Sequence, residues 1–430
     1  MKRLLGERRF WIEGGGLLAA TPFLLFPTQF IIGTSFALII VLVSWLFPLF
    51  AKQRPFFPRT PFNAALLFWG LTLVVGIAVT ADPDLTLPKA TGLILGLAWW
   101  RFITLTTQTK AQLYWHIAIF SLMGFGFISF GLMGIEWVNE IPFLLKIAER
   151  LPSQLIAIPE SPAAGVGANQ LAGTLLIPLL FFLSSFIGWR PVRQPKLVVI
   201  GVGFLTVIIG GVLLLTQSRS GWFGVIGGVF ILLTLWGIVL SPSPARTIVR
   251  LVLAVGIIIS VIGLIAIGPE NIVDLWNNPN QETVIGQFGT LNFRKEVWQW
   301  ALASIQDFPF TGTGLGSFRR VVQRLYPIQV PFDYDIAHAH NIFLQVALDL
   351  GLPGLVVYLA LLVIAAVIGW QTAKQDEELR PFALGLLAGI AAIHIYGQLD
   401  TLALGSKPNL LFWMSLGLLT GMKQIVKQTK

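Results

Sequence analysis

Residues 197–240 read LVVIGVGFLTVIIGGVLLLTQSRSGWFGVIGGVFILLTLWGIVL, and their one charged residue is Arg219. On either side stands an apolar stretch, 197–216 and 220–240, each close to the 20 or so residues that a helix needs to cross a bilayer. Two spans joined by a tight turn is the reading this run imposes, and the rest of the chain repeats it. Of 430 residues, 55% are hydrophobic and only 11% charged, with a mean hydropathy of +0.78. A soluble domain carries roughly 25% charged residues, so this chain has too little charge to cover a water-facing surface. A net charge of +9 would ordinarily suggest nucleic-acid binding. Here the charges sit in short clusters between apolar runs, which is the pattern of a polytopic membrane protein and excludes a nucleic-acid partner. The absence of cysteine excludes disulfides and thiolate metal sites.

Twelve segments qualify as spans: 14–28, 30–50, 61–80, 88–107, 111–133, 169–188, 197–216, 220–240, 248–268, 342–370, 381–399 and 405–422. With the N-terminus in the cytoplasm and strict alternation, 19 of the 29 Lys and Arg fall on inner segments, and none is expected inside a span. Of the 20 acids, 15 fall outside or in outer halves of spans. Positive charge on the inside sets the orientation. The expectation is an all-α membrane protein of about 12 transmembrane helices with N- and C-termini cytoplasmic. Lys2, Arg3, Arg8 and Arg9 resemble a signal n-region, but no clean small-residue cleavage site follows, so the segment is expected to be a retained anchor. Two outer segments exceed simple turns: 134–168, rich in proline, and 269–340 between spans 9 and 10. The second is aromatic-rich and is expected to be ordered and partly helical. With no internal repeat, residues 1–430 form a single integral domain.

Span centres are nearly empty of ionisable groups, while His394, Asp349 and Asp400 lie in outer halves; this favours a site on the outer face. Arg219 sits in the tight outer turn Thr216-Gln217-Ser218-Arg219-Ser220-Gly221-Trp222, where the alternative is a charge capping a helix end. Arg294 is expected on a helix capped by Asn292 and running through Gln306. At about 100° per residue it shares the apolar face with Val297, Ala301 and Ile305, while Lys295 faces water. A guanidinium so placed needs an anionic partner, and Glu296 and Asp307 do not share its face. Asp333-Tyr334-Asp335-Ile336-Ala337-His338-Ala339-His340-Asn341 allows three readings: a metal site, a working imidazole acting as general base, or a His at a helix start. Gly312-Thr313-Gly314-Leu315-Gly316-Ser317 is either a phosphate cradle or a turn. Two outer arginines suit a diphosphate, because the guanidinium fork pairs with phosphate oxygens. A nearby imidazole suits deprotonation of an attacking hydroxyl, and lateral entry from the bilayer suits a lipid-linked substrate.

From about Gly165 to Lys430 the chain resembles the O-antigen ligase/polymerase superfamily of bacterial membrane glycosyltransferases. The likeness rests on the 216–222 turn, on Asn292-Phe293-Arg294 followed by Phe308-Pro309-Phe310-Thr311-Gly312-Thr313-Gly314, and on His340-Asn341, nine residues, then Gly351-Leu352-Pro353-Gly354. Asn169 resembles a further family position. The resemblance implies a glycan donor on undecaprenyl diphosphate whose leaving group Arg219 and Arg294 hold. It implies that His340 takes the proton of an acceptor hydroxyl on lipid A-core, a protein or another glycan, with inversion at the anomeric carbon. It further implies no cofactor and no metal, and a bacterial inner-membrane location with the site facing the periplasm or exterior, as in lipopolysaccharide or other polysaccharide biosynthesis. Asn341, His338 and Asp400 are supporting candidates. The polymerase-type spacing of an arginine and a glycine is absent, since position 235 is Leu and position 310 is Phe. This leans toward a ligase. A repeat-unit polymerase, a solute (inorganic-carbon-type) transporter and a non-catalytic envelope scaffold are the competing readings.

Overall fold

The computed structural model describes residues 2–50, 58–138, 141, 144–157, 165–188, 196–278, 290–328 and 335–428. The described chain is almost wholly helical, and each of the twelve apolar segments is occupied by a helix. In order these are α1 (Lys2–Leu25), α2 (Ile31–Phe50), α3 (Asn63–Ala78), α4 (Pro83–Thr106) and α5 (Lys110–Gly134) in the first half. After a short segment holding α6 (Leu145–Ala148) come α7 (Ala168–Gly188), α8 (Lys196–Leu215), α9 (Arg219–Val239) and α10 (Pro244–Ile267). The second outer segment carries α11 (Pro269–Asn277), α12 (Thr290–Asp307) and α13 (Phe318–Leu325). The chain closes with α14 (Ile342–Gln375), α15 (Arg380–Tyr396) and α16 (Leu410–Gln428). Two residue pairs, Ile135–Glu136 and Val166–Gly167, form a minimal parallel ladder, β1 and β2, that closes the first outer segment at its base.

Among the described residues six helices, α5, α7, α8, α9, α10 and α14, are long and apolar enough to cross a membrane, which makes this a multi-pass membrane protein. Shorter apolar stretches lie in α1, α2, α3 and α15. The centre of the bundle is α15 packed on α7 and α9, with α16 against α4 and α14 against α3. Small residues permit the closest approaches. A side chain at Gly224 would stand 3.0 Å from the Ala392 carbonyl, and one at Gly228 2.7 Å from Ala392 Cβ. Such close backbone contact is the main means by which helices associate where lipid is as apolar as leucine. By contrast α10 buries no residue, and most of its Ile, Leu and Val side chains are exposed, with Val249 half-buried against the bundle, as suits a lipid-facing helix.

One expectation from the charge pattern fails. Arg101 lies within α4 and is 1% exposed, paired at 2.8 Å with Glu13 of α1. Lys89 also lies within α4. Counting charges by loop misplaces Arg101 because a helix can carry a guanidinium inward when a neighbouring helix supplies the carboxylate. Glu13→Ala leaves that guanidinium buried without its carboxylate, at a cost of about 3–5 kcal/mol. The expected result is a clear drop in the unfolding temperature of the detergent-solubilised protein, largely recovered by the double substitution Glu13→Leu with Arg101→Met.

Candidate functional site

The 216–222 turn is built by two side chains. Ser218 caps α9, its hydroxyl accepting from the Gly221 N–H at 3.1 Å. Gln217, with φ of +53°, accepts from the Ile141 N–H at 2.8 Å and donates to the Val138 carbonyl. Gln217 thus ties the first outer segment to the turn. Arg219 becomes the first residue of α9, at a helix N-terminus where backbone dipoles favour an anion.

Arg294 reaches the same place from α12. This helix starts at Thr290, two residues before the expected cap Asn292, which is exposed on its surface. The predicted apolar face is otherwise as expected, with Val297 and Ala301 fully buried. Thr290, not an acid, is the partner: Arg294 Nη1 donates to its hydroxyl at 3.1 Å. Arg294 Nε is buried with no hydrogen-bond partner among the described residues. A buried donor left open is costly unless a ligand fills it.

Arg219 and Arg294 line one cavity of about 410 Å³ together with Asn169, Gln217, Trp276 and Thr290. Asn169 lies in the first turn of α7 there, its carbonyl held at 3.0 Å by the Tyr396 hydroxyl. His340 stands beside the cavity rather than in its wall. Its ring meets Phe293, the neighbour of Arg294, edge-on at 5.8 Å, and Leu399 of the cavity wall precedes Asp400. His340 Nδ1 lies 3.7 Å and His338 Nε2 3.5 Å from the same oxygen, Oδ1, of the buried Asp400. Asp333 lies outside the described residues; Asp335 turns away to Arg319 at 3.3 Å.

Backbone and charge both constrain this cluster. His340 takes a left-handed conformation, φ +50°, which costs a non-glycine residue about 1–3 kcal/mol and persists only where its surroundings enforce it. Asn341 is a helix cap: its Oδ1 accepts from the Phe343 and Leu344 N–H groups at 3.0 and 3.2 Å. Burial first, then the neighbouring His340, pushes His338 down to about 3, so it is neutral at pH 7. Its Nδ1 accepts from the His340 N–H at 3.2 Å, which assigns the ring proton to Nε2, facing Asp400. Burial alone would raise Asp400, but the His340 and His338 imidazoles and Arg294 outweigh it and hold the carboxyl at about 2. Asp400 is therefore a carboxylate throughout the physiological range.

His338, His340 and Asp400 present ligand atoms within 4.8 Å of one another, close enough to hold a metal ion. The donor set fits such an ion poorly. Ligation through His338 Nε2 would displace its proton and break the bond from the His340 N–H, whereas the assigned tautomer keeps that bond and turns the ring proton toward Asp400.

The Gly312–Ser317 run is not a phosphate cradle. Its N–H groups at Gly312, Thr313, Leu315, Gly316 and Ser317 donate to Phe308, Leu348, Gly76, Asp349 and Gly314 respectively. It plugs a break in α14 at Gly351 (φ +71°), where a side chain would stand 2.3 Å from the Phe310 carbonyl. The Gly351-x-x-Gly354 motif is thus structural. The contacts of Phe293 with His340 and of Gln217 with Val138 and Ile141 form only across the fold, while Thr290 meets Arg294 one turn away on α12.

The site is an anion-receptive cavity beside a carboxylate-paired imidazole, at one end of a multi-pass helical bundle. Residues 204–359, a little over a third of the chain, match the family described as O-antigen ligase. That stretch takes in Arg219, Arg294, His340 and Gly351–Gly354; Asn169 and Asp400 lie outside it. No curated protein matches the chain. Over that stretch the chain is similar to the O-antigen ligase family, which supports an O-antigen ligase-like kinship.

In Asp400→Asn the imidazoles of His338 and His340 lose the carboxylate they face, and the maximal rate of the detergent-solubilised protein is expected to fall by about 10-fold or more. An undiminished rate would show that Asp400 does not act through them.

Proposed function

We propose that this protein transfers a glycan from undecaprenyl diphosphate to an acceptor hydroxyl on the outer face of the bacterial inner membrane, through twelve spans with both termini cytoplasmic. The single observation that carries the reading is the convergence of Arg219 and Arg294, from α9 and α12, on one cavity flanked by His340 and Asp400. Two guanidinium groups match a diphosphate in charge and geometry. The acceptor oxygen attacks the anomeric carbon as His340 takes its proton. The bond from that carbon to the diphosphate oxygen breaks on the opposite face, so configuration inverts. Arg219 and Arg294 neutralise the charge that develops on the leaving lipid diphosphate, and Asp400 stabilises the imidazolium. Lipid A-core, a protein or a second glycan are the acceptors this chemistry allows, and a polymerase would use a second lipid-linked chain in that place.

A carrier would draw on polar groups within the membrane, and those here are engaged internally. His394 Nδ1 donates to the Ile390 carbonyl at 2.6 Å and its Nε2 accepts from the Tyr358 hydroxyl at 2.9 Å.

The test is glycan transfer by purified protein from undecaprenyl-diphosphate oligosaccharide, run against lipid A-core and again with donor alone. His340→Ala is expected to lower the rate by about 10²–10⁴-fold. Arg219→Ala and Arg294→Ala should each lower it by about 10²–10³-fold, all three variants inserting normally. Product on the separate acceptor identifies a ligase, and longer chains from donor alone a polymerase. Undiminished transfer by His340→Ala would overturn the assignment of the base.

Chelation supplies an independent check. EDTA is expected to leave the rate unchanged; activity lost to EDTA and restored by zinc would replace the imidazole base with a metal held by His338, His340 and Asp400.

A further inference from the structure

We propose that Gln345 and Asp349, two buried residues on the first turns of α14, form a hydrogen-bonded brace that holds the His340 backbone in its left-handed conformation and thereby aims its imidazole. Both are positioning residues, and their importance for turnover rests on the reading of His340 as the base.

The brace is a continuous chain of bonds. The N–H of Ala339, the residue before His340, donates to Gln345 Oε1 at 2.8 Å. Gln345 Nε2 donates to Asp349 Oδ1 at 2.9 Å, and the Gly316 N–H donates to the same oxygen at 2.9 Å. Gln345 is 1% exposed and Asp349 fully buried, so water does not compete for these bonds. Because one end of the Gln345 amide accepts and the other donates, its orientation is fixed, and neither Glu nor Leu reproduces it. His340 is thus pinned on both sides: Ala339 by Gln345, and Asn341 by its cap on α14 and a long bond from its Nδ2 to the Gln398 carbonyl at 3.4 Å. A residue with positive φ between two anchored neighbours cannot relax to an ordinary conformation without breaking one of them.

Packing alone does not account for these residue types. Position 349 lies between Leu348 and Leu350, both buried, where an apolar side chain would avoid the cost of burying a carboxylate. The carboxylate is explained by its two donors and by Lys89, whose side chain crosses Gly316 and supplies positive charge nearby. Gly316 also links the brace to the loop seated in the α14 break, so the bonds that aim His340 and those that seat the loop meet on one oxygen atom.

The experiment uses the full-length protein in detergent or nanodiscs with three substitutions: Gln345→Met, Asp349→Leu and Asp349→Asn. Carbethoxylation of His340 by diethyl pyrocarbonate, followed by peptide mass spectrometry, reads the exposure and orientation of the ring without any donor. Gln345→Met and Asp349→Leu are expected to change the His340 modification rate severalfold. They should also lower kcat for glycan transfer ten- to a hundredfold while the donor KM stays within about twofold. Asp349→Asn keeps an oxygen to accept both bonds and is expected to stay near wild type in both readouts. An unchanged His340 modification rate in Gln345→Met overturns the brace. So does an Asp349→Asn protein as impaired as Asp349→Leu. Should Gln345→Met fail to insert, Gln345→Glu decides. It retains the acceptor for Ala339 and loses the donor to Asp349, and a wild-type modification rate there overturns the proposal. A wild-type protein that modifies as expected but transfers no glycan counts against the proposed function alone.

Discussion

The break in α14 at Gly351 is the constraint on which the site end of the bundle depends. A helix interrupted where the surroundings are apolar frees backbone groups that water does not reach, and each is costly unless it finds a partner. The loop between α12 and α13 supplies those partners: Thr313 donates to the Leu348 carbonyl, and Leu352 donates to that of Pro309. Only glycine fits where the two backbones meet, at Gly351 against Phe310 and at Gly312 against Leu348. Seating this loop fixes the C-terminal end of α12 against the outer end of α14. Because α12 carries Arg294 and the start of α14 carries His340, the same contact sets the distance between the two.

Electrostatics complete what the backbone arranges. Positive charge gathers at the cavity from Arg219, Arg294 and the N-terminus of α9, while the carboxylate of Asp400 lies behind, between two imidazoles. His338 stays neutral and orients its proton toward Asp400, leaving His340 as the imidazole that faces Phe293 beside the cavity. The two arginines and the His338–His340–Asp400 cluster thus lie side by side, with Phe293, the neighbour of Arg294, against the His340 ring.

The helices were legible because length and hydropathy are local properties. Every apolar segment proposed from the chain lies on a helix, and Val297 and Ala301 fall on the buried face that a 100° repeat assigns to them. Where local reading erred or left alternatives, a distant residue decided. The Gly-rich run 312–317 reads as a phosphate cradle or a turn, and its N–H groups bonded to α3 and α14 make it a turn. Arg101 looks like an inner-loop charge until Glu13 of α1 is found against it. Asn341, a supporting site candidate in the sequence, caps α14 with its side chain.

What the sequence by itself determined was the membrane class, the helical segments, and the cationic and imidazole side chains that gather at one end of the bundle: Arg219, Arg294 and His340. Spacing along the chain is enough for these, because periodicity and turn chemistry act within a few residues. Only the tertiary structure decided that α9 and α12 face one cavity, that Asp400 pairs with His340, and that Gln345 and Asp349 brace it. Those relations depend on which helices pack together and at what rotation. That is settled by small-residue contacts and hydrogen bonds between segments far apart in the chain, for which a single sequence carries no local signal.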